Sequence, residues 1–201
     1  EHGASVVVND LDAAPAEAVV TEIKEAGGEA TAVPGSVTDL DFPDLLMKTA
    51  VSTYGKITVL VNNAGYTWDG MLHKMSAEQW QALLDVHASA PFRMIRAVAP
   101  YLRDPAKEEK RAGGFVENRC VINVSSTSGL HGNVGQANYA TGKMGIVGLT
   151  KTVAKEWGNL GIRCNAVAFG FIDTRLTQSK NEGEVIEVEG QKIGLGIPDH
   201  L

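Results

Sequence analysis

The sequence predicts a single domain with a doubly wound α/β fold, in which helices cover both faces of a mostly parallel sheet. Short apolar segments alternate with longer amphipathic segments along the 201 residues. Strands that are separated by helices pair in parallel through right-handed crossovers, so the alternation indicates this class. A chain of this length forms one sizeable core more readily than two.

The strands are predicted from short apolar runs bounded by turn residues. The run at 57–61 is almost continuously apolar, as is typical of a strand buried on both faces, and it leads directly into a turn composition. The five predicted strands are residues 4–9, 30–34, 57–61, 120–124 and 163–167.

Capping signals mark the starts of three predicted helices. Asp12 is a suitable cap for the first, Thr38 and Asp41 resemble a capping box for the second, and Ser76 with Gln79 begins the third. Each helix then continues with apolar residues at helical spacing.

Residues 88–103 carry apolar side chains on two faces, which predicts a helix buried on both sides. Residues 104–119 are charged, contain glycine and lack an apolar period. We interpret them as an exposed connection of unusual length.

Composition excludes several classes of function. The net charge is −6 and there is no block of lysines and arginines, which argues against binding nucleic acid or an anionic membrane. No apolar run approaches the roughly 18 to 20 residues that span a bilayer. Cys120 and Cys164 lie in predicted strands, so we expect buried, reduced thiols and a reducing compartment such as the cytoplasm. The expected partner is a small molecule.

Polar residues gather where the predicted strands end. In doubly wound sheets ligands bind beyond the carboxyl ends of the strands. Those ends carry residues 9–10, 62–65, 125–126 and 168–170. We therefore expect one binding site along this edge of the sheet.

Tyr139 and Lys143 are four residues apart in a predicted helix and therefore face the same way. An ammonium beside a phenol favours the phenolate, which predicts a lowered pKa for Tyr139 and an acid/base function. Taken singly, each residue is better interpreted structurally: Tyr139 as a helix-surface aromatic, Lys143 as a solvated charge and Ser126 as a strand-end cap.

Taken together, the segment Asn62-Asn63-Ala64-Gly65, then Ser126, then Tyr139 with Lys143, resembles the short-chain dehydrogenase/reductase family, which has a Rossmann-like sheet. Ser126 precedes Tyr139 by thirteen residues (139 − 126). The amino-acid sequence of residues 132–139 is similar to that of the 3-oxoacyl reductase branch of the family. The resemblance implies an oxidoreductase that interconverts a ketone and a secondary alcohol, on 3-oxoacyl or 3-hydroxyacyl thioesters.

The resemblance also implies roles for individual residues. Tyr139 would exchange a proton with the substrate oxygen, Lys143 would hold the nicotinamide ribose and lower the phenol pKa, and Ser126 would hydrogen-bond the carbonyl. His87 stands where the family commonly has an asparagine in a water relay, as in some multifunctional enzymes of β-oxidation. The alternative for His87 is an inert core histidine.

Cofactor contacts follow from the same resemblance. Asp10 matches the acidic position that accepts both adenine-ribose hydroxyls, which favours NAD over NADP. The alternatives are NADP as the cofactor and a role for Asp10 that is limited to beginning a turn. Val37 is a weaker candidate beside the adenine, and Phe169 replaces a proline near the carboxamide. The further cofactor-binding candidates are Asn63, Ala64, Gly65, Gly170, Ile172 and Thr174.

Other family features concern the ends and surfaces of the chain. The glycine-rich phosphate turn is not among these residues, and 194–198 resembles a segment leading into a last helix and strand. We therefore expect a fold incomplete at both ends, with an unpaired interior strand edge.

Helices around Phe92 and 144–157 would form a homodimer or homotetramer by the same resemblance. Residues 171–201, including Leu176, would form the substrate loop. The rival hypothesis is a non-catalytic or truncated member that acts through helix-mediated oligomerisation.

Overall fold

The computed structural model describes residues 2–174, 177–178, 185–188, 190–194 and 196, so Leu176 and most of 194–198 lie outside the described residues. Its strands alternate with helices, and the parallel α/β class predicted from the sequence is confirmed. The strands are β1 (Ser5–Val8), β2 (Glu29–Ala32), β3 (Val59–Asn62), β4 (Arg119–Ser126), β5 (Ile162–Phe169), β6 (Val185–Val188) and β7 (Gln191–Gly194).

Among the described residues, six α-helices accompany these strands. A π-helical turn at Asp85–Ser89 joins the third and fourth helices without a break. Short 3₁₀ turns lie at Leu72–Lys74 and Gly158–Leu160. The helices are α1 (Ala13–Glu25), α2 (Phe42–Tyr54), α3 (Ala77–Leu84), α4 (Ala90–Ala112), α5 (Thr127–His131) and α6 (Ala137–Trp157).

The parallel strands of the described part of the chain form two separate sheets. β1 pairs with β2, while β4 pairs with β3 on one side and β5 on the other. Within the described residues no ladder joins β1 to β3. Val59 and Val61 of β3 are 49% and 53% exposed and line the cleft between the sheets. The expected unpaired interior edge is therefore present. A further pair, β6 and β7, is antiparallel.

Helix α4 packs its apolar residues against the three-stranded sheet. Met94, Val98 and Leu102 are buried in one cluster with Val121 of β4. Phe92, in contrast, is 50% exposed. On the predicted face that carries Phe92, Ile95 and Leu102 are buried, so the prediction of burial on both sides is wrong for Phe92 itself.

The exposed connection predicted over 104–119 is also wrong for most of its length, because α4 continues to Ala112. Arg119 at the start of β4 forms two hydrogen bonds to the Glu109 carboxylate, at 2.8 and 2.6 Å. Ala106 is fully buried on the same helix. These tertiary contacts hold the last turns of α4, and no apolar period in the sequence signals them.

Of the predicted caps, the Ser76–Gln79 capping box is present, with both reciprocal hydrogen bonds at 3.0 Å. The Thr38–Asp41 box is not, because the Thr38 hydroxyl bonds to Ser36 and α2 begins at Phe42. Asp12 precedes α1 but forms no side-chain cap.

Two findings bear on the expected environment of the protein. Cys120 and Cys164 are buried free thiols, as predicted. Among the described helices, none is both long and apolar enough to span a bilayer.

Candidate active site

The carboxyl ends of the parallel strands border one cleft of about 1690 Å³. The cleft also extends between β1 and β3. Every site residue predicted from the sequence contributes to its wall: Asp10, Val37, Asn63, Ala64, Gly65, His87, Ser126, Tyr139, Lys143, Gly170, Ile172 and Thr174. The fold therefore gathers residues from along most of the chain at one place.

Lys143 lies one turn after Tyr139 on α6, and its ammonium is 5.6 Å from the centre of the phenol ring. Its Nζ donates a hydrogen bond to the Val124 carbonyl at 2.8 Å. The side chain is buried, and burial lowers the pKa of Lys143 to about 8. The ammonium is thus held at the end of β4, within reach of the cleft.

The pKa of Tyr139 is raised, chiefly by burial of the phenol. A hydrogen bond from Ser126 opposes the shift, and the negative charge of Asp69 adds to it. The prediction of a lowered pKa is therefore wrong for the chain alone. Spacing showed the nearby lysine but could not show how far the ring is buried. At neutral pH the phenol carries its proton.

His87 is buried in the π-helical turn, beside Tyr139. Its Nε2 donates to the Tyr66 carbonyl at 2.8 Å, so Nε2 carries the ring proton. The two rings meet edge to face, with centroids 4.9 Å apart. Nδ1 is buried without a hydrogen-bond partner in the described part of the chain. Burial first, and the charge of Lys143 second, lower the pKa of His87 to about 3.

Two glycines enclose the imidazole of His87. A Cβ on Gly65 would lie 2.2 Å from its Cε1, and a Cβ on Gly142 would lie 2.8 Å from its Cβ. The glycine after Asn63-Ala64 therefore makes room for His87. These close approaches bring together the segments that carry Gly65, His87 and Gly142, which the sequence analysis treated separately.

Two side chains that sequence reasoning missed hold α6 in place. Asn138 is buried; its amide donates to the carbonyls of Trp68 and Gln79 at 3.1 and 2.9 Å. Ser125 donates to the Lys143 carbonyl at 2.6 Å. Both lie next to predicted site residues, but adjacency alone does not reveal partners so far away in sequence.

The adenine end of the cleft is less distinctive. One Asp10 oxygen accepts a hydrogen bond from the Asp12 backbone N–H at 3.2 Å, as expected of a residue that begins a turn. Asp10 nevertheless lines the cleft, as does Val37 after β2. Phe169 at the end of β5 is 46% exposed, and it also borders the cleft.

The family model of the short chain dehydrogenases matches residues 1–185. The chain belongs to this family. A short-chain dehydrogenase is an oxidoreductase, and the family generally uses a nicotinamide cofactor. The described cleft fits such a group, because it is large and combines a carboxylate at Asp10 with a buried ammonium at Lys143.

Named relatives are bacterial reductases. The chain is 41% identical over 186 residues to 3-oxoacyl-[acyl-carrier-protein] reductase of Synechocystis sp., a match that covers 92% of this chain and 71% of the relative. It is 38% identical over 196 residues to 3-oxoacyl-[acyl-carrier-protein] reductase FabG of Thermotoga maritima, covering 98% and 75%.

A solved structure shares the fold. A short chain dehydrogenase from Mycobacterium avium matches with a TM-score of 0.75 and 40% identity, over 84% of this chain and 61% of that one. The short-chain dehydrogenase thus has both sequence and structural relatives in the family.

The buried His87 predicts sensitivity of the dehydrogenase to acid. The folded state keeps the imidazole neutral down to a pH of about 3, whereas the unfolded chain binds a proton near pH 6.5. The contribution of His87 to stability is complete above pH 6.5 and is lost progressively as the pH falls toward 3, by roughly 5 kcal/mol in total. Urea unfolding between pH 4 and 7 measures this slope.

A matched pair of variants isolates the contribution of His87. We expect His87→Asn to flatten the pH dependence of the unfolding free energy, and His73→Gln, a change at an exposed histidine, to leave it as in the wild type. Equal slopes for His87→Asn and the wild type would show that His87 is not the acid-sensitive group.

Proposed function

We propose that this short-chain dehydrogenase interconverts a 3-oxoacyl and a 3-hydroxyacyl thioester, with NAD as the cofactor. The observation that carries the proposal is that Ser126, Tyr139 and Lys143 line the same cleft, with the Lys143 ammonium 5.6 Å from the centre of the Tyr139 ring. The relatives named as 3-oxoacyl reductases support the substrate class. This arrangement favours catalysis over a purely structural role in oligomers.

Ser126 would hold the substrate oxygen. Its Oγ accepts the Ser128 backbone N–H at 3.1 Å, so its single hydrogen remains available to donate. Toward an incoming carbonyl this hydroxyl would donate to the oxygen that gains negative charge. Ser126 and Tyr139 line the same cleft, which supports a substrate oxygen that contacts both hydroxyls.

Tyr139 would supply the proton. Its phenol is protonated at neutral pH because burial raises its pKa, so in the direction of reduction it can donate to the developing alkoxide. The cofactor, when bound, exchanges a hydride with the carbon of this carbonyl. In the reverse direction Tyr139 would accept the proton of the alcohol.

Lys143 would stabilise the phenolate that remains after proton donation. Its ammonium lies close to the Tyr139 ring, and its pKa of about 8 leaves it mostly charged at neutral pH. It would also hold hydroxyls of the nicotinamide ribose. The Val124 carbonyl, to which Nζ donates at 2.8 Å, fixes its direction.

His87 would act as a positioning residue that also continues the proton relay. Because Nε2 donates to the Tyr66 carbonyl, the Nδ1 lone pair is left to accept a hydrogen bond. Its edge contact with Tyr139 would hold the phenol in place. A His87→Phe variant that is folded and keeps the wild-type kcat would support the inert core role instead.

We expect the dehydrogenase to bind NADH about tenfold more tightly than NADPH, because Asp10 would accept ribose hydroxyls and repel a 2′-phosphate. Fluorescence titration of the full-length protein with both cofactors measures the ratio. Asp10→Ser should bring the two affinities together, whereas Asp12→Ser, two residues away and exposed, should not. Tighter binding of NADPH by the wild type would contradict the assignment.

The surface that carries Phe92 and Met144 would form a homodimer or homotetramer. These side chains, on α4 and α6, are 50% and 48% exposed. We expect the full-length protein to sediment as an oligomer and Phe92→Asp to shift it toward smaller species. A wild-type monomer would refute this interface.

The buried free thiols support a cytoplasmic location, which cell fractionation would check.

Activity screening tests the substrate class. The full-length protein is assayed with NADH on 3-oxoacyl thioesters and on simple ketones of similar size. We expect a kcat/KM that is higher for the thioesters. Turnover of simple ketones alone would remove the thioester proposal, and no turnover of either would remove the assignment of this site to carbonyl reduction.

A further inference from the structure

The antiparallel hairpin formed by β6 and β7 lies within the region that sequence analysis left as an undefined substrate loop. Its register runs from Val185 opposite Gly194 to Val188 opposite Gln191. Gly190 in the turn has a φ of 80°, which suits glycine. The pairing gives this part of the loop a defined inner and outer face.

Two contacts fasten the hairpin to α3. Ile193 is 3% exposed and is buried in a cluster with Tyr66, Leu83 and Val86. The Gln191 amide also donates to the Glu78 carboxylate in the first turn of α3. Because its second strand is anchored in this way, the hairpin presents its first strand at a fixed position.

The two faces of β6 differ in chemistry. Ile186 and Val188 are half-buried, line the cleft and pack against the same cluster as Tyr139. Glu187, between them, is exposed, as is Lys192 on the paired strand. Alternation along a strand places the charges on the opposite face from the apolar pair.

An apolar wall in the cleft that Tyr139 also lines constrains which substrate groups can lie against it. The inner side chains Ile186 and Val188 offer no hydrogen-bonding group, so a charged or polar substituent on that side would lose its hydration without compensation. Both side chains are β-branched and have few allowed rotamers, so they cannot easily move aside to admit a larger group. A hydrocarbon segment of limited length suits it.

We propose that Ile186 and Val188 determine specificity by forming the wall against which the hydrocarbon part of the substrate packs, so that their size sets the preferred chain length. The thioester identity of that substrate rests on the proposed function, but the wall itself does not. A buried methylene gained or lost in such a pocket changes discrimination by about tenfold or more.

The test uses straight-chain 3-oxoacyl thioesters of increasing length, with kcat/KM measured for each on the full-length protein. We expect Val188→Ala and Ile186→Ala to raise the ratio of long-chain to short-chain kcat/KM by about tenfold, and Val188→Phe to lower it by a similar factor. Glu187→Gln and Lys192→Gln, on the outer face, should leave the ratio unchanged.

Opposite effects of smaller and larger side chains separate a wall from a loosened hairpin. Val188→Ala and Val188→Phe that change the ratio in the same direction, or not at all, would overturn the proposal. Calorimetric binding of the same thioesters supplies a readout that needs no turnover. If the substitutions change the length dependence of binding but no thioester is turned over, the result would count against the proposed function and leave the wall intact. If the substitutions do not change binding, the proposed role of Ile186 and Val188 would be wrong.

Discussion

Tyr139→Phe should lower kcat by about a thousandfold or more while leaving the fold and the affinity for the cofactor close to those of the wild type. The change removes the hydroxyl that would transfer the proton, a step that contributes 10²- to 10⁴-fold in typical enzymes. The ring remains, and with it the edge contact to His87. Steady-state kinetics, thermal unfolding and NADH titration measure the three quantities.

Tyr101→Phe is the matched control, because it makes the same chemical change on α4, away from the cleft lining. Its kcat should equal that of the wild type. If Tyr139→Phe also retained full turnover, the proton donor would have to be another group. The proposed roles of Ser126 and Lys143, which depend on Tyr139 as the donor, would then be wrong.

Gly65→Ala should be strongly destabilising although it adds a single methyl group. The new Cβ would lie 2.2 Å from Cε1 and 2.8 Å from Nδ1 of His87. The imidazole has little freedom to move, since Nε2 donates a hydrogen bond to the Tyr66 carbonyl and the side chain is buried. We expect a loss of about 3 kcal/mol in the free energy of unfolding, and about a hundredfold in kcat from displacement of the site.

A double mutant identifies the cause of this loss. Gly65→Ala combined with His87→Ala should recover most of the lost stability, because the atoms that clash are removed. Gly114→Ala, where an added Cβ meets nothing within 4 Å, should be harmless. Additive effects of the two changes at 65 and 87 would show that the steric explanation is wrong.

The elements that the sequence predicted best are those whose signals are local. The strands β3 and β4 follow from apolar runs, although the burial expected on both faces of β3 is wrong for Val59 and Val61, and the start of α3 follows from a capping box that lies within four residues. The end of α4 was missed because it depends on Arg119, whose partner Glu109 is ten residues away and on another element. Charge composition alone suggested an exposed connection there.

In the candidate site, too, the features with local sequence signals were predicted and those that depend on packing were missed. Tyr139, Lys143 and Ser126 are found from spacing and family resemblance, and the structure gathers them at one cleft. The pKa of Tyr139 was predicted in the wrong direction because burial is a property of the packed chain. Likewise, Gly65 is a turn residue in the sequence, and its role of accommodating His87 appears only when α3, α6 and β3 come together.

Deuterium transfer tests the central claim most directly. The full-length protein is incubated with NADH deuterated at the transferable C4 position and a 3-oxoacyl thioester, and the 3-hydroxyacyl product is examined by mass spectrometry. The proposed reaction predicts one deuterium at C3 with the wild type and almost no product with Tyr139→Phe. A product without deuterium at C3, or no product from the wild-type protein with any thioester or ketone, would contradict the assignment.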